Sequence, residues 1–481
     1  VLLGYQLIVG STLNFMKNNQ TQVNKETPKW LPCNPVDVKS VADLDGEVRK
    51  VLKLGDDGWV MLICASVIAH LSEGNPVWMM FVAPSASGKS ETIGSLIGLD
   101  FIHEISDLTV NSLASGFKAG GVETSLLHKM DNGIMMFKDF TSILSKGQEA
   151  KKEIMKQLRE VYDGRYNKRT GNNADVLWEG KIGAIAASTE AIYSQLADMS
   201  AMGDRFIMYS VKQPERIEGI YRAWDNEPHI KEMREHLKAC FSNYINYTKE
   251  NLEPYDIVIP DDIKDTLIEI ADFAAQARSG VLTDFKTGNI DFVPAPEMGM
   301  RIIGQLRQIA TAFIIMNRAD PRYRGDYDRA SRLTELQIST LHRVAFDSIP
   351  RTRRNALISL ATYDGGVSTA GFATSIGLQT TAVKKYLEQV NALGICDRVK
   401  KGGKQGDQWK LRTQYRDIII RLEGIKPKEG MLISEEAEED EDEDWYDNYI
   451  KNEADQGSLD PENITYDKDD EENEADLFNG F

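Results

Sequence analysis

Apolar and polar positions along this chain fall into blocks that read alternately as helices and strands. From residue 40 to about 71 the pattern is helical, with Val48, Val51 and Leu52 spaced for one face and then a dense apolar run from Trp59 to Leu71. Gly74-Asn75-Pro76 ends it. Val77-Trp78-Met79-Met80-Phe81-Val82 is continuously apolar and of strand length, which predicts a strand buried on both faces. A glycine-bearing loop and a helix over residues 91–99 follow. Residues 133–137, 182–187 and 206–211 are further strand candidates with helical stretches between them. Such alternation predicts an α/β domain with a parallel sheet covered on both faces.

Residues 213–345 are mostly helical by pattern, with interruptions near 253–260 and 283–296. Residues 351–413 read as a winged helix. A first helix is expected over 354–361, a second capped at Ser368, a turn at Gly377-Leu378, and a third over 381–393 capped by Thr380. Strands near 396–400 and 408–411 flank the glycine-rich basic loop from Lys401 to Gly406. The expected organisation is an arm (1–40), an α/β core (41–212), a helical lid (213–350), a winged-helix domain (351–428) and an acidic tail (429–481).

A chain of 481 residues is too long for one ordinary core. Its net charge of -18 is concentrated: residues 435–481 hold 21 acidic residues and two lysines, leaving +1 for the other 434. That tail is poor in hydrophobic residues and is expected to be disordered. Residues 351–428, by contrast, carry 15 Lys+Arg against 6 Asp+Glu, a balance that favours a nucleic-acid partner. The four cysteines are far apart in sequence, with no C-x-x-C and no Cys/His cluster, which reads against a zinc site or a disulfide framework and for a reducing compartment. No apolar run approaches the roughly 18 residues needed to span a bilayer, and the apolar opening lacks a basic flank, so no membrane partner is expected and the location expected is cytoplasmic.

The loop after the first strand carries the sharpest chemistry. Ala83-Pro84-Ser85-Ala86-Ser87-Gly88-Lys89-Ser90 fits the phosphate-binding P-loop pattern, with Ala83 in place of its first glycine. Backbone N–H groups and a helix N-terminus attract phosphate oxygens. Lys89 is suited to the terminal phosphates and Ser90 to Mg²⁺, so ATP and Mg²⁺ are the expected cofactors. Asp139, at the end of Ile134-Met135-Met136-Phe137-Lys138-Asp139-Phe140, is the second expected metal ligand. Ser188-Thr189 ends the next strand, Arg205 precedes the last, and Arg301 begins a long helix in the lid region.

This order of motifs resembles the AAA+ ATPases, in particular the clade with a hairpin before the first sensor. Minichromosome-maintenance (MCM) helicases and the bacterial enhancer-binding activators belong to it. Asp139-Phe140 resembles the D-E-F strand end of the MCM proteins, Asp204-Arg205-Phe206 their S-R-F-D segment, and Arg301 with Leu306 their lid helix; the resemblance spans roughly residues 45–345. It implies a sensor hydrogen-bonder at Thr189, with Ser188 as second choice and a helix cap as the other use of Thr189. It also implies an arginine finger at Arg205, a second sensor at Arg301, and a DNA-gripping hairpin carrying Arg165, Lys168 and Arg169. One departure stands out. The family strand ends Asp-Glu. Matched by its four apolar residues, Lys138 takes the Asp place and Asp139 the Glu place; matched by function, Asp139 is the magnesium Asp and Phe140 replaces the Glu. Either way one carboxylate is missing.

The resemblance implies a DNA-dependent ATPase, hexameric in its family's manner, acting in replication as an MCM-like helicase or translocase of a phage or mobile element inside a bacterial host. The alternative is a nucleotide-switched initiator or transcription regulator with slow hydrolysis. In either, Lys384, Lys385, Lys401 and Lys404 of the winged helix would meet DNA. Glu474-Ala475-Asp476-Leu477-Phe478 resembles the Q-x-x-L-F peptide that docks on sliding clamps, with Glu474 replacing the Gln.

Overall fold

Ser40 starts the first ordered helix by a reciprocal bond: its hydroxyl accepts the Asp43 N–H at 3.1 Å, and the Asp43 carboxylate accepts the Ser40 N–H at 3.0 Å. The computed structural model describes residues 30–110, 112–113, 118–119, 122–123, 125–169, 175–193, 205–251, 257–283, 290–293, 295–400 and 406–423. Most of the expected arm, the tip of the basic hairpin, Asp204, Lys401, Lys404 and the tail with Glu474 to Phe478 lie outside the described residues.

The helical run expected from residue 40 is two helices, α1 (Val41–Val51) and α2 (Trp59–Leu71). The charged, glycine-bearing segment Gly55-Asp56-Asp57-Gly58 separates them. Every α2 residue from Trp59 to His70 is buried, as befits a helix that is apolar all round. Then come β1 (Trp78–Val82), the short helix α3 (Lys89–Gly94), β2 (Ile102–Glu104), β3 (Ile134–Phe137) and α4 (Gln148–Tyr162). The hairpin β4 (Arg165–Arg169) and β5 (Asp175–Glu179) precedes β6 (Gly183–Ser188) and β7 (Ile207–Ser210).

The central sheet has the order β2-β3-β6-β1-β7, and every pairing in it is parallel. Successive side chains of a strand point to opposite faces, and the core divides accordingly. Met79 and Phe81 pack with α2 and the lid helices, whereas Trp78, Met80 and Val82 pack with Phe137, Phe140, Tyr162 and Phe206.

The lid comprises α5 (Arg216–Asn226), α6 (Ile230–Glu250), α7 (Asp261–Arg278), α8 (Met300–Ala319) and α9 (Glu335–Asp347). It also closes one edge of the sheet. The N–H groups of Met208 and Ser210 on edge strand β7 donate to Ser348 Oγ (2.9 Å) and Asp347 Oδ2 (2.7 Å), so no strand template is left open there. Below that edge Asp56 accepts from Tyr209 Oη (2.7 Å) and the Lys212 N–H (2.9 Å) and forms an ion pair with Arg343 at 2.9 Å. This fully buried carboxylate ties the α1–α2 link to sheet and lid.

The last described elements are α10 (Arg351–Ala361), β8 (Val367–Ser368), α11 (Thr369–Ile376), α12 (Thr380–Ala392), β9 (Cys396–Lys400), β10 (Asp407–Leu411) and α13 (Thr413–Glu423). Their sheet is antiparallel in the order β8-β10-β9. Ser368 caps α11 through the Gly371 N–H at 3.0 Å, and Gly377 takes a left-handed φ of +66° in the turn. Thr380, expected as a cap, is instead the first helical residue; Gln379 holds the cap position without a side-chain bond. The α10 helix starts at Arg351, three residues before the expected position, and α13 was not anticipated. The unit is fastened to the end of α7. The Arg353 guanidinium donates to the carbonyls of Ala277 (2.6 Å) and Ser279 (2.9 Å), and Gln276 bonds Leu393 O and Tyr415 Oη, both at 2.6 Å.

Candidate functional site

The loop between β1 and α3 is built to present amides. Ala86 takes a left-handed φ of +60° and Gly88 one of +85°. For an alanine this conformation costs roughly 1–2 kcal/mol, and left-handed residues in a turn aim neighbouring N–H groups into a common concavity. Among the described residues, the N–H groups of Ser85 to Gly88 have no backbone carbonyl partner. Lys89 is only 7% exposed. Its ammonium donates to the carbonyls of Ala83 (2.6 Å) and Pro84 (2.7 Å) and to Ser87 Oγ at 3.2 Å. Burial pulls the Lys89 pKa below its ordinary value, and the charge of Asp139 opposes that pull. A buried cation held only by neutral oxygens, beside amides without backbone partners, fits a phosphate group.

The second strand explains what Lys138 does. It follows β3 in the register of Ile134 and Met136, on the α3 side of the sheet, and pairs with Glu104 at the end of β2 at 2.8 Å. Its aliphatic stem passes close to Gly94 of α3. The Ser90 hydroxyl donates to the Lys138 carbonyl at 3.3 Å, which brings it to the residue next to Asp139. Asp139 is exposed and accepts the Thr141 N–H at 2.9 Å. Ser90 and Asp139 thus form an oxygen-rich pair suited to a hard cation such as Mg²⁺. Phe140 is fully buried and packs edge-on against Phe137 and Phe206, each at 5.3 Å. Its place therefore offers no group to a water.

At the end of β6, Ser188 and Thr189 differ in their surroundings. Ser188 is 1% exposed and its hydroxyl has no hydrogen-bond partner. Its carbonyl accepts the Ala83 N–H at 3.2 Å, so it stands directly beside the loop. Thr189 is half-buried, and its carbonyl accepts the Ile192 N–H at 3.2 Å.

Arg205 and Arg301 lie elsewhere. Met79 is paired with Ile207 and Val82 with Ser210, so Arg205 is level with the start of β1 while Lys89 follows its end. At about 3.3 Å per residue the length of β1 alone separates them by roughly 16 Å. Arg205 pairs with Asp163 at the end of α4 at 2.9 Å and lies over the Tyr162 ring at 5.6 Å. Arg301 meets Glu297 at 3.4 Å, and Arg278 shares that carboxylate at 2.9 Å. Burial pushes the Tyr162 hydroxyl up to about 12, and Arg205, Arg301 and Arg278 all act against that shift. The two sequence-selected arginines therefore gather at one edge of the sheet, opposite the loop.

In the hairpin, Arg165 pairs with Glu179 across the strands at 3.3 Å, both side chains being exposed, and Lys168 faces Val176 in register. Arg169 is paired with Asp175 in register, but its side chain lies outside the described residues. Gln379, which caps α12, and Thr381, Lys384 and Lys385 on it are exposed, while Val383, Leu387 and Val390 are buried.

Folding adds one grouping that the sequence spacing does not display. The cysteines and histidines are not all isolated: Cys33, His236 and Cys240 converge, their ligand atoms lying within 4.8 Å of one another. Only the i, i+4 spacing of His236 and Cys240 on α6 signalled this, because Cys33 is brought in by folding from more than two hundred residues away.

No family model matches the chain, and no curated protein matches it. Among solved structures, that of SCCmec type IV Cch, an active helicase, aligns with a TM-score of 0.36 and 12% identity over 83% of this chain and 76% of that one. So loose a superposition carries no argument about what this chain does.

Proposed function

We propose that this chain is a P-loop ATPase of the AAA+ type that acts on DNA as a replication helicase or translocase. The observation that carries the reading is the meeting of Lys89, Ser90 and Asp139 at one end of a parallel sheet, around amides without backbone partners. Lys89 exchanges its carbonyl partners for the terminal phosphates. Ser90 and Asp139 would hold the metal. When bound, Mg-ATP supplies the scissile phosphoryl bond and the cation that neutralises its charge. The orphaned Ser188 hydroxyl, beside the loop, is better placed than Thr189 to orient a water.

Arg205 and Arg301 cannot serve the loop of their own chain, since the sheet lies between. Their common edge supports a site completed by a neighbouring subunit, in which case Arg205 trades Asp163 for a phosphate oxygen. Such an arrangement closes a ring, and a homo-hexamer is the proposed form. The order of helices and strands from α10 to β10 supports reading this unit as a winged helix, with α12 as its proposed recognition helix. Lys384 and Lys385 there, and Arg165, Lys168 and Arg169 on the hairpin, are the proposed phosphate contacts. Among the described residues no helix is long and apolar enough to cross a membrane.

The buried Phe140 favours one second reading: a slow ATPase that switches a DNA-bound initiator or regulator. Hydrolysis measured without DNA, with single strands and with duplex separates the two. The motor reading expects DNA stimulation in the wild type, and loss in both Lys89→Ala and Arg205→Ala. Slow turnover indifferent to DNA, with site-specific footprints and no strand displacement, supports the switch. Full activity in Arg205→Ala excludes the shared site.

A further inference from the structure

Helix α6 turns His236 and Cys240 to the same side, one helical turn apart. Two other segments meet them there. Cys33 belongs to the stretch ahead of α1, and Glu47 belongs to α1 itself. His236 Nε2 is 2.9 Å from Glu47 Oε2 and 3.4 Å from Cys240 Sγ. The thiols of Cys33 and Cys240 lie within 4.8 Å of each other. The Cys33 N–H points at Glu47 Oε2 at 3.4 Å. The side chains of His236 and Glu47 are 8% and 7% exposed, and the Trp30 ring stands edge-on to the imidazole at 5.9 Å.

We propose that Cys33, Cys240, His236 and Glu47 form a structural zinc site that clamps the segment before α1 onto the lid helix α6. Two sulfurs and one imidazole nitrogen, donors of the kinds zinc takes, lie within 4.8 Å of one another, and Glu47 Oε2 adjoins them through His236 Nε2 at 2.9 Å as the nearest fourth donor. Zinc–ligand bonds of about 2.0–2.3 Å imply tetrahedral edges of roughly 3.3–3.8 Å. The His236–Cys240 separation of 3.4 Å already falls in that range; on loading, the 2.9 Å His236–Glu47 edge lengthens, the Cys33 edges, which lie within 4.8 Å, settle to the same range, and the Glu47 carboxylate turns toward the thiols. The softness of two thiolates selects zinc over magnesium or calcium.

Charge also balances. Zn²⁺ with two thiolates and a carboxylate carries one negative charge, and the Lys50 ammonium sits on the other Glu47 oxygen at 2.5 Å. Loading releases the two thiol protons to solvent and forms two Zn–S bonds, with no change of oxidation state. With Glu47 as the fourth ligand all four positions would be filled by protein, which makes the site structural rather than catalytic. The clamp has work to do, because among the described residues the segment is otherwise held to the lid by few polar contacts. These include Asn243 Nδ2 to Val38 O at 3.3 Å; Lys50 Nζ to Leu31 O at 3.1 Å ties it to α1.

The test is metal analysis of the full chain, purified under reductant from zinc-supplemented culture. About one zinc ion per chain is expected. Cys33→Ser and His236→Ala should each lose it, while Cys396→Ala, whose thiol is remote, keeps it. Cobalt(II) added to the metal-free protein should give a thiolate charge-transfer band and the intense visible bands of a tetrahedral site, both weakened in Cys33→Ser. Cys33 lies at the periphery, and an unchanged far-ultraviolet spectrum for that variant shows that loss of metal is not loss of fold. No zinc in the wild type, cobalt spectra without thiolate bands, or a Cys33–Cys240 disulfide that binds no metal after reduction overturns the proposal.

Discussion

Among the described residues Lys89 has no carboxylate salt bridge; its ammonium rests on two backbone carbonyls and a serine hydroxyl. A triphosphate improves on those partners, so Lys89→Ala should reduce ATP hydrolysis at least about 100-fold in a steady-state assay while leaving the melting temperature nearly unchanged. His70 makes the opposite kind of prediction, on stability alone. Burial lowers its pKa to about 4, against the opposing influence of a bond to the Asn132 carbonyl. Between about pH 6.5 and 4 the unfolded chain therefore binds a proton that the folded chain refuses. Stability rises with pH through that window, and acidification across it should cost up to about 3 kcal/mol from this residue. Denaturant titrations at several pH values should show the loss in the wild type and a flatter profile in His70→Gln. Lys138 shows the limit of reading residues from sequence. Its position invited two alignments, and only the pairing with Glu104, from a strand too short and polar to be recognised, shows where its charge goes.

At the scale of elements, strands buried on both faces announced themselves. β1, β3, β6 and β7 all begin or end within a residue or so of the apolar runs that predicted them, because a strand with no solvent face has no reason to alternate. β2 did not, since Ile102-His103-Glu104 carries a single apolar residue at the sheet's rim. The break between α1 and α2 was missed for a related reason: Asp56, fully buried, reads as a loop acid until Arg343 and Tyr209 arrive from far along the chain. Asp56→Ala strands the Arg343 guanidinium and should destabilise the chain by about 3 kcal/mol in chemical denaturation. The cluster of Cys33, His236 and Cys240 was invisible on the same ground, being assembled by tertiary contact. On α12 the alternation of buried and exposed positions was legible. Lys384→Ala with Lys385→Ala should weaken DNA binding uniformly across sequences, and each lost contact should lower the slope of log affinity against log salt by about 1. Anisotropy titrations at several salt concentrations measure it.

For the whole molecule, the loop with Lys89 and the edge with Arg205 and Arg301 lie at opposite ends of one sheet, so that under the proposed shared-site arrangement each subunit would supply half of two sites. Mixing inactive Lys89→Ala with inactive Arg205→Ala chains should restore part of the activity, because some interfaces then pair an intact loop with an intact arginine; steady-state hydrolysis across mixing ratios reads it. All of this presupposes that the loop takes a nucleotide. Equilibrium binding of a fluorescent ATP analogue with Mg²⁺ tests that most directly. Saturable binding to the wild type, weakened at least about 100-fold in Lys89→Ala, is the predicted result. A wild-type chain that shows no saturable binding, or a Lys89→Ala chain that binds as well as wild type, contradicts the account.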